Sequence, residues 1–113
     1  MRRKDDLSKE RILQLLQHEL PQLREEFGVL SLALYGSFVR GQPDEDSDID
    51  LIVGLSRPLG FGFVALAEEL EQLLGRKVDL STFTALERSL EHPRHRSIAL
   101  HIRESLAHVQ AAA

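Results

Sequence analysis

Two acidic residues separated by one position, Asp48 and Asp50, form the part of the sequence best suited to chemistry. They lead into an apolar run that is typical of a strand, and strand residues two apart lie on the same face. Ile49, Leu51 and Val53 would then face a core on the other side. Two carboxylates held side by side repel each other unless hard cations lie between them. The spacing therefore predicts a magnesium site on one strand face.

A glycine–serine pair, Gly36 and Ser37, precedes Asp48 by ten intervening residues. The pair lies at the predicted end of the preceding strand, where backbone N–H groups at a helix start can hold phosphate. Arg40, three positions later, suits phosphate oxygens as well, although it could instead pair with acidic residues of the following loop. Groups that bind phosphate, next to a pair of carboxylates that can bind magnesium, indicate a site for a nucleotide together with magnesium.

Asp79 supplies a third carboxylate from the middle of another predicted strand, between Val78 and Leu80. An Asp in a strand interior is disfavoured by propensity, so the position suggests a function, although a plain surface-facing residue is the alternative. If this strand lies beside the one that carries Asp48 and Asp50, three carboxylates converge on one face. Such a group can hold two magnesium ions roughly 3.5–4 Å apart.

The elements that must position these residues follow from hydrophobic periodicity and from the placement of glycine and proline. The fold class is α+β (α/β-like), a small mixed sheet with helices packed on one face. Alternation in the first strand suggests one covered and one open face. Pro21 either kinks the first helix or starts a second one. The expected elements are helix 8–19, strand 29–35, short helix 37–40, strand 48–53, helix 63–74, strand 76–83, a helix capped by Thr84 that runs to 90, and a last helix from Pro93 that turns Ile98, Ile102, Leu106 and Val109 inward.

Chain length and composition limit which partners and which cellular compartment can be expected. The 113 residues fit a single domain, 1–113, with a core of about 7–109. The net charge of -4 makes free nucleic acid an unlikely ligand. Absence of cysteine excludes disulfides and thiolate metal sites, and no apolar run has membrane length. A cytoplasmic protein without a membrane partner is expected.

The motifs together resemble the nucleotidyltransferase fold of the DNA polymerase beta superfamily. More narrowly, the stretches LALYGSFVRG, DSDIDLIV and LLGRKVDL resemble minimal nucleotidyltransferase (MNT) antitoxins of the MntA type, which are encoded beside HEPN-domain toxins. The resemblance implies magnesium, ATP as co-substrate, and transfer of AMP to a tyrosine of a HEPN ribonuclease, which is thereby silenced. It also implies the site residues: Asp48, Asp50 and Asp79 as catalytic metal ligands, and Gly36, Ser37, Arg40 and Ser47 for the nucleotide.

Two other functions are compatible with the resemblance. The chain could neutralise a toxin by complex formation alone, but binding does not need three converging carboxylates. It could also modify a small molecule such as an aminoglycoside, but one small domain offers little to enclose such an acceptor unless a dimer does so. For a protein partner we expect contact through Phe61, which could alternatively be a core residue, or through residues 93–96, which could alternatively be a solvated helix start.

Overall fold

A computed structural model describes residues 7–41, 43 and 46–110 of the chain, and these residues form five helices and four strands. The elements are α1 (Lys9–Phe27), β1 (Val29–Tyr35), α2 (Ser37–Arg40), β2 (Ile49–Leu55), α3 (Gly62–Leu74), β3 (Val78–Thr82), α4 (Phe83–Glu91), α5 (Arg96–Glu104) and β4 (Ala107–His108).

The four strands form one mixed sheet in the order β3-β2-β1-β4. β1 is antiparallel to both of its neighbours, β2 and β4, whereas β2 and β3 run parallel and are connected through α3. The predicted mixed sheet and the α+β class are confirmed. The parallel pair is the feature that matters for the site, because it brings the two acidic strands side by side.

The main core lies between one face of the sheet and the helices α1 and α3. It includes Ile49, Leu51 and Val53 of β2, each fully buried, as the alternation predicted. A second, smaller cluster covers part of the opposite face, where Ala33 and Ile52 pack against residues of α4 and α5. The expected open face is therefore open only in part: α4 and α5 cover the end with Ala33 and Ile52, and the carboxylates lie at the other end.

Helix α1 continues without interruption through Pro21 to Phe27, so the predicted end at residue 19 and the alternative of a second helix are both wrong. Pro21 is exposed, so the carbonyl that loses its N–H partner can face water. The Ser8 side chain accepts a hydrogen bond from the Arg11 backbone N–H, and Gly28 ends the helix with a φ of 74°. None of the described helices is both long and apolar enough to cross a membrane.

The segment after β3 departs from the predicted boundaries. Thr82 rather than Thr84 caps α4, because its hydroxyl accepts a hydrogen bond from the Ala85 backbone N–H at 3.0 Å. The last predicted helix is shorter than expected and ends at Glu104, where the Ser105 hydroxyl donates to the His101 carbonyl. Residues 107–108 then pair with β1, whose edge would otherwise expose unpaired backbone groups.

Three of the four residues predicted to face inward from the last helix behave differently. Ile98 is 66% exposed, and Leu106 and Val109 both lie beyond the helix. Val109 is buried there and donates its backbone N–H to the Leu32 carbonyl. The predicted helix crosses a real boundary here. Leu106 packs against the second cluster and Val109 in the main core, so the two residues lie on opposite faces of the sheet, as extended residues three apart do. The buried residue of α5 is Ala99 instead.

Candidate active site

Asp50 lies at the centre of a lateral row of three residues on neighbouring strands. It is paired in register with Tyr35 of β1 on one side and with Asp79 of β3 on the other. Its chain neighbours Ile49 and Leu51 are buried in the main core, so the Asp50 side chain lies on the opposite face. The structure thus brings Asp50 and Asp79 together as the sequence predicted, and adds Tyr35, which was not predicted.

Burial and the neighbouring charges change the pKa of the Asp50 carboxyl group. Burial raises the pKa of Asp50 above its ordinary value of 3.8, and the negative charges of Asp79 and Asp48 raise the pKa further, while Arg40 lowers it. Asp48, just ahead of β2, and Asp79 are both exposed. The three predicted carboxylates and the predicted arginine therefore belong to one electrostatic site, in which a cation would relieve the repulsion.

Gly36 approaches the carboxylate of Asp50 so closely that no side chain fits between them. Its φ of 82° and ψ of -150° lie in a region that is essentially restricted to glycine. A Cβ atom on Gly36 would overlap the Asp50 carboxylate. The Gly36 carbonyl accepts hydrogen bonds from the backbone N–H groups of Val39 and Arg40, both at 3.1 Å, which closes α2 as a single turn. The predicted tight turn therefore lies against the acidic row, by which we mean Asp48, Asp50 and Asp79. Ser37 is the first helical residue of the turn.

Arg76 holds the end of the acidic loop in place. Its Nε donates a hydrogen bond to the Ser47 carbonyl at 2.7 Å, and its guanidinium lies 5.4 Å from the ring centroid of Phe38 in α2. Because Ser47 directly precedes Asp48, this contact fixes the entry of the chain into β2. Ser47 is one of the residues predicted to bind the nucleotide, and that role stays a prediction. The positioning role of Arg76 was missed, since no local pattern distinguishes it from an ordinary strand start.

Tyr35 links the acidic row to the roofed part of the same face. Burial raises the pKa of Tyr35 above 10.0, and the charges of Asp50 and Asp79 add to the shift, whereas a hydrogen bond with the Ser81 side chain opposes it. Ser81 lies two residues after Asp79 and so shares its face. An alternating strand that ends at the glycine–serine pair could have pointed to Tyr35, but only once the pairing of β1 with β2 was known.

The donor set fits a hard cation. Three carboxylates belong to one site, the exposed Asp48 and Asp79 beside the partly buried Asp50, whose pKa is raised by burial and by the charges of the other two. No three His, Cys, Asp or Glu side chains within 7–41, 43 and 46–110 are already arranged as a metal cluster. The exposed side chains of Asp48 and Asp79 can rotate, so they would have to turn toward an ion bound beside Asp50.

The fold and the acidic row define the class of protein. A mixed sheet that sets a glycine–serine turn against two paired strands, with two carboxylates on the strands and a third just ahead of one of them, has the arrangement of a nucleotidyltransferase. The sequence profile of the nucleotidyltransferase domain family matches residues 19–106, and the chain belongs to that family. It is 42% identical to the protein adenylyltransferase MntA of Thermococcus cleftensis over 82 residues, which cover 72% of this chain and 83% of the relative.

Solved structures with the same fold agree with this assignment. One, provisionally described as a minimal nucleotidyltransferase, has a TM-score of 0.63 and 29% identity, and the match covers 90% of this chain and 96% of that one. A chain of a toxin–antitoxin complex with AMP-PNP has a TM-score of 0.59 at 20% identity, covering 94% and 75%. A chain from the tri-AMPylated HEPN toxin in complex with the MNT antitoxin of Shewanella oneidensis has a TM-score of 0.54 at 18% identity, covering 88% and 73%. The resemblance found in the motifs is confirmed.

Proposed function

We propose that this chain is a magnesium-dependent protein adenylyltransferase that acts as an antitoxin. It would transfer AMP from ATP to a tyrosine hydroxyl of a HEPN ribonuclease toxin and so neutralise it. The observation that carries the proposal is the register pairing of Asp50 with Asp79, beside a glycine turn that contacts Asp50. The relative named as a protein adenylyltransferase, and the similar chains found in toxin–antitoxin complexes, support the same activity and partner.

The reaction is a displacement at the α-phosphorus of ATP. The acceptor oxygen forms a bond to that phosphorus, the bond to the bridging oxygen of the β-phosphate breaks, and pyrophosphate leaves while the hydroxyl proton is released. Both the entering and the leaving oxygen carry negative charge during the exchange, so positively charged groups around the phosphates lower the barrier. Arg40, exposed at the end of α2 and electrostatically coupled to Asp50, supplies one such charge.

The three carboxylates have separate tasks in this proposal. Asp48 and Asp50, next to the turn at Gly36, would hold the ion that accompanies the triphosphate. Asp79, which comes from the neighbouring strand, would hold a second ion on the acceptor side. Bound magnesium would supply charge neutralisation of the phosphates and a lower pKa for the attacking hydroxyl. With ATP as the donor, the expected compartment is the cytoplasm.

Intact-mass analysis of the partner tests the proposal directly. The chain is incubated with a purified HEPN partner, ATP and magnesium, and the partner should gain the mass of one or more adenylyl groups. The double variant Asp48→Asn/Asp50→Asn should leave the partner mass unchanged, while Glu68→Gln, an exposed acid on α3, should behave like the wild type. If the partner ribonuclease is neutralised in the absence of ATP and without any gain in mass, neutralisation proceeds by complex formation alone and the proposal is wrong.

A further inference from the structure

A pocket of about 300 Å³ lies directly beside the acidic row, under the roof that α4 and α5 form over the sheet. Its floor consists of Tyr35, Ile52 and Ser81, and its walls are mostly aliphatic side chains of the two helices. This volume falls at the lower end of the range for small-molecule sites, roughly 300–1,000 Å³. The carboxylates at 48, 50 and 79 do not line the pocket, so the chemistry assigned above leaves the pocket without a function.

The pocket is continuous with the acidic row along the strands. Ile52 follows Asp50 by two residues, and Ser81 follows Asp79 by two, so both lie on the same face and one step further along. Such a step spans roughly 6–7 Å. Tyr35 lies between the carboxylates and the pocket, since the charges of Asp50 and Asp79 raise its pKa and its side chain forms part of the pocket floor. A ligand that spans one strand step would touch both places.

We propose that this pocket takes the purine base of the nucleoside triphosphate donor, an inference that rests on the proposed function. The ribose separates base and α-phosphate by about one such strand step, so a base in the pocket leaves the phosphates at the carboxylates. The mostly apolar lining suits a purine face, and the hydroxyls of Ser81 and Ser89 and the His95 ring lie among the lining residues as hydrogen-bond partners for the base edge. The base also gives a function to Ile98, which lines the pocket although it is 66% exposed.

The direction in which a ligand would enter favours the base over the acceptor side chain. A tyrosine carries its reactive oxygen at the tip of the ring, so a ring inserted into the pocket would move that oxygen away from the carboxylates. A nucleotide enters with its unreactive end first and keeps the α-phosphorus outside, at the acidic row. The same pocket therefore positions the donor correctly and would misplace the acceptor.

The assignment of the pocket to the base is tested by comparing the binding of ATP with that of inorganic tripolyphosphate, which has the phosphates but no base. Both are titrated in the presence of magnesium by calorimetry into the full chain. Ala85→Phe fills the pocket from an exposed position on α4, and Ala65→Phe places the same ring on an exposed site of α3 that does not line the pocket. We expect Ala85→Phe to weaken ATP binding at least tenfold and to leave tripolyphosphate binding unchanged, with Ala65→Phe like the wild type.

A second pair of variants removes contacts instead of adding volume. Ile98→Ala should weaken ATP binding by roughly three- to tenfold, in line with the loss of part of one aliphatic contact, while Val64→Ala on α3 should have no effect. Tripolyphosphate should again bind alike in all proteins. Unfolding curves that match the wild type establish that each variant is folded. If Ala85→Phe does not fold, Ile98→Ala alone tests the base site.

Each other outcome overturns the inference in a recognisable way. Equal losses for ATP and tripolyphosphate, or no loss for either, would show that the base lies elsewhere. Unchanged ATP binding with a raised KM for the protein acceptor would assign the pocket to the acceptor. Failure of the wild type to bind ATP and tripolyphosphate at all would refute the proposed function itself, and the base site with it.

Discussion

Asp50 of β2 and Asp79 of β3 occupy paired positions of two parallel strands, so their side chains lie beside each other on one sheet face. The pairing raises the pKa of Asp50, in addition to the larger effect of its burial. A carboxylate that is partly buried beside two like charges is less stable when ionised than it is in the unfolded chain. The free protein therefore carries a repulsion that binding of cations can relieve.

The first prediction concerns the pH dependence of this repulsion. The folded pKa of Asp50 is raised above 3.8, so its contribution to stability is fully present below that pH and is lost as the pH rises through the folded pKa. At pH 7 the ionised group destabilises the fold. Asp50→Asn should therefore raise the melting temperature by about 2–5 °C at pH 7 and by nothing at a pH of about 3. Thermal unfolding at both pH values measures this, with Glu68→Gln as control, and equal gains at both pH values would rule out the electrostatic cause.

The second prediction separates the roles of the acidic residues. Asp79→Asn should abolish AMP transfer while largely preserving ATP binding, because Asp79 would hold the ion on the acceptor side and not the ion on the triphosphate. Loss of a ligand to an ion that activates the nucleophile should reduce the rate by orders of magnitude. Single-turnover transfer and calorimetric ATP binding are measured on the same preparation. Transfer at the wild-type rate would remove Asp79 from the mechanism.

The third prediction concerns Gly36, whose backbone conformation and contact with Asp50 both oppose a side chain. Gly36→Ala combines an unfavourable backbone conformation with a Cβ that overlaps the Asp50 carboxylate, so the fold should lose about 2–4 kcal/mol. Gly75→Ala is the control for an ordinary left-handed glycine, because Gly75 has a φ of 69° and a ψ of 25° and an added Cβ would meet nothing within 4 Å. It should cost only about 1 kcal/mol. Denaturant unfolding measures both, and equal losses would show that the close approach to Asp50 has no energetic consequence.

The fourth prediction uses the fact that Tyr35 is the only tyrosine of the chain. Its phenol should titrate above pH 10.0, since burial and the charges of Asp50 and Asp79 oppose ionisation. Ser81→Ala should raise the midpoint further, because the Ser81 hydrogen bond lowers the pKa of Tyr35. Asp79→Asn should move it in the opposite direction. Because the chain has one tyrosine, the absorbance of phenolate against pH gives a single titration midpoint. A midpoint at or below 10.0 in the wild type would contradict the placement of Tyr35 beside Asp50 and Asp79.

Local patterns in the sequence were sufficient for the acidic strand and its core face. Alternation around Asp50 placed Ile49 and Leu51 in the core, and the lone acid at 79 marked its partner strand. Features that depend on contacts distant in sequence could not be predicted in this way. The hydrogen bond from Arg76 to Ser47 and the roof over the second face arise only after the chain has folded back on itself.

The boundary errors have a related cause. Residues 107–108 form an edge strand because one edge of β1 is available for pairing there. Their own sequence does not indicate that they pair with β1. Pro21 lies inside α1 because tertiary packing of Leu20 and Leu23, both buried, outweighs the lost hydrogen bond. In both places the tertiary environment decided between two local structures that the sequence allowed. The roles of Ser37 and Ser47 toward a nucleotide stay predictions for a different reason, since they depend on a bound ligand.

The last prediction concerns the surface that meets the protein partner. Phe61, just ahead of α3, is 97% exposed, so its alternative assignment to the core is wrong, and Arg94 and Arg96 are exposed at the connection between α4 and α5. A large exposed aromatic residue is a candidate anchor, whereas exposed charges mainly steer association. Phe61→Ala should therefore increase the dissociation rate of the complex with the HEPN partner. Arg94→Glu/Arg96→Glu should instead slow association and reduce its dependence on salt.

Kinetic binding measurements at two salt concentrations distinguish the two effects, because they resolve association and dissociation separately. Arg88→Glu/Arg103→Glu is the matched control, since it makes the same change in charge at one exposed position each of α4 and α5, away from their connection. A loss of association rate of similar size in both double variants would attribute the effect to net charge, not to a patch. Wild-type kinetics in Phe61→Ala and in Arg94→Glu/Arg96→Glu alike would place the contact elsewhere on the chain.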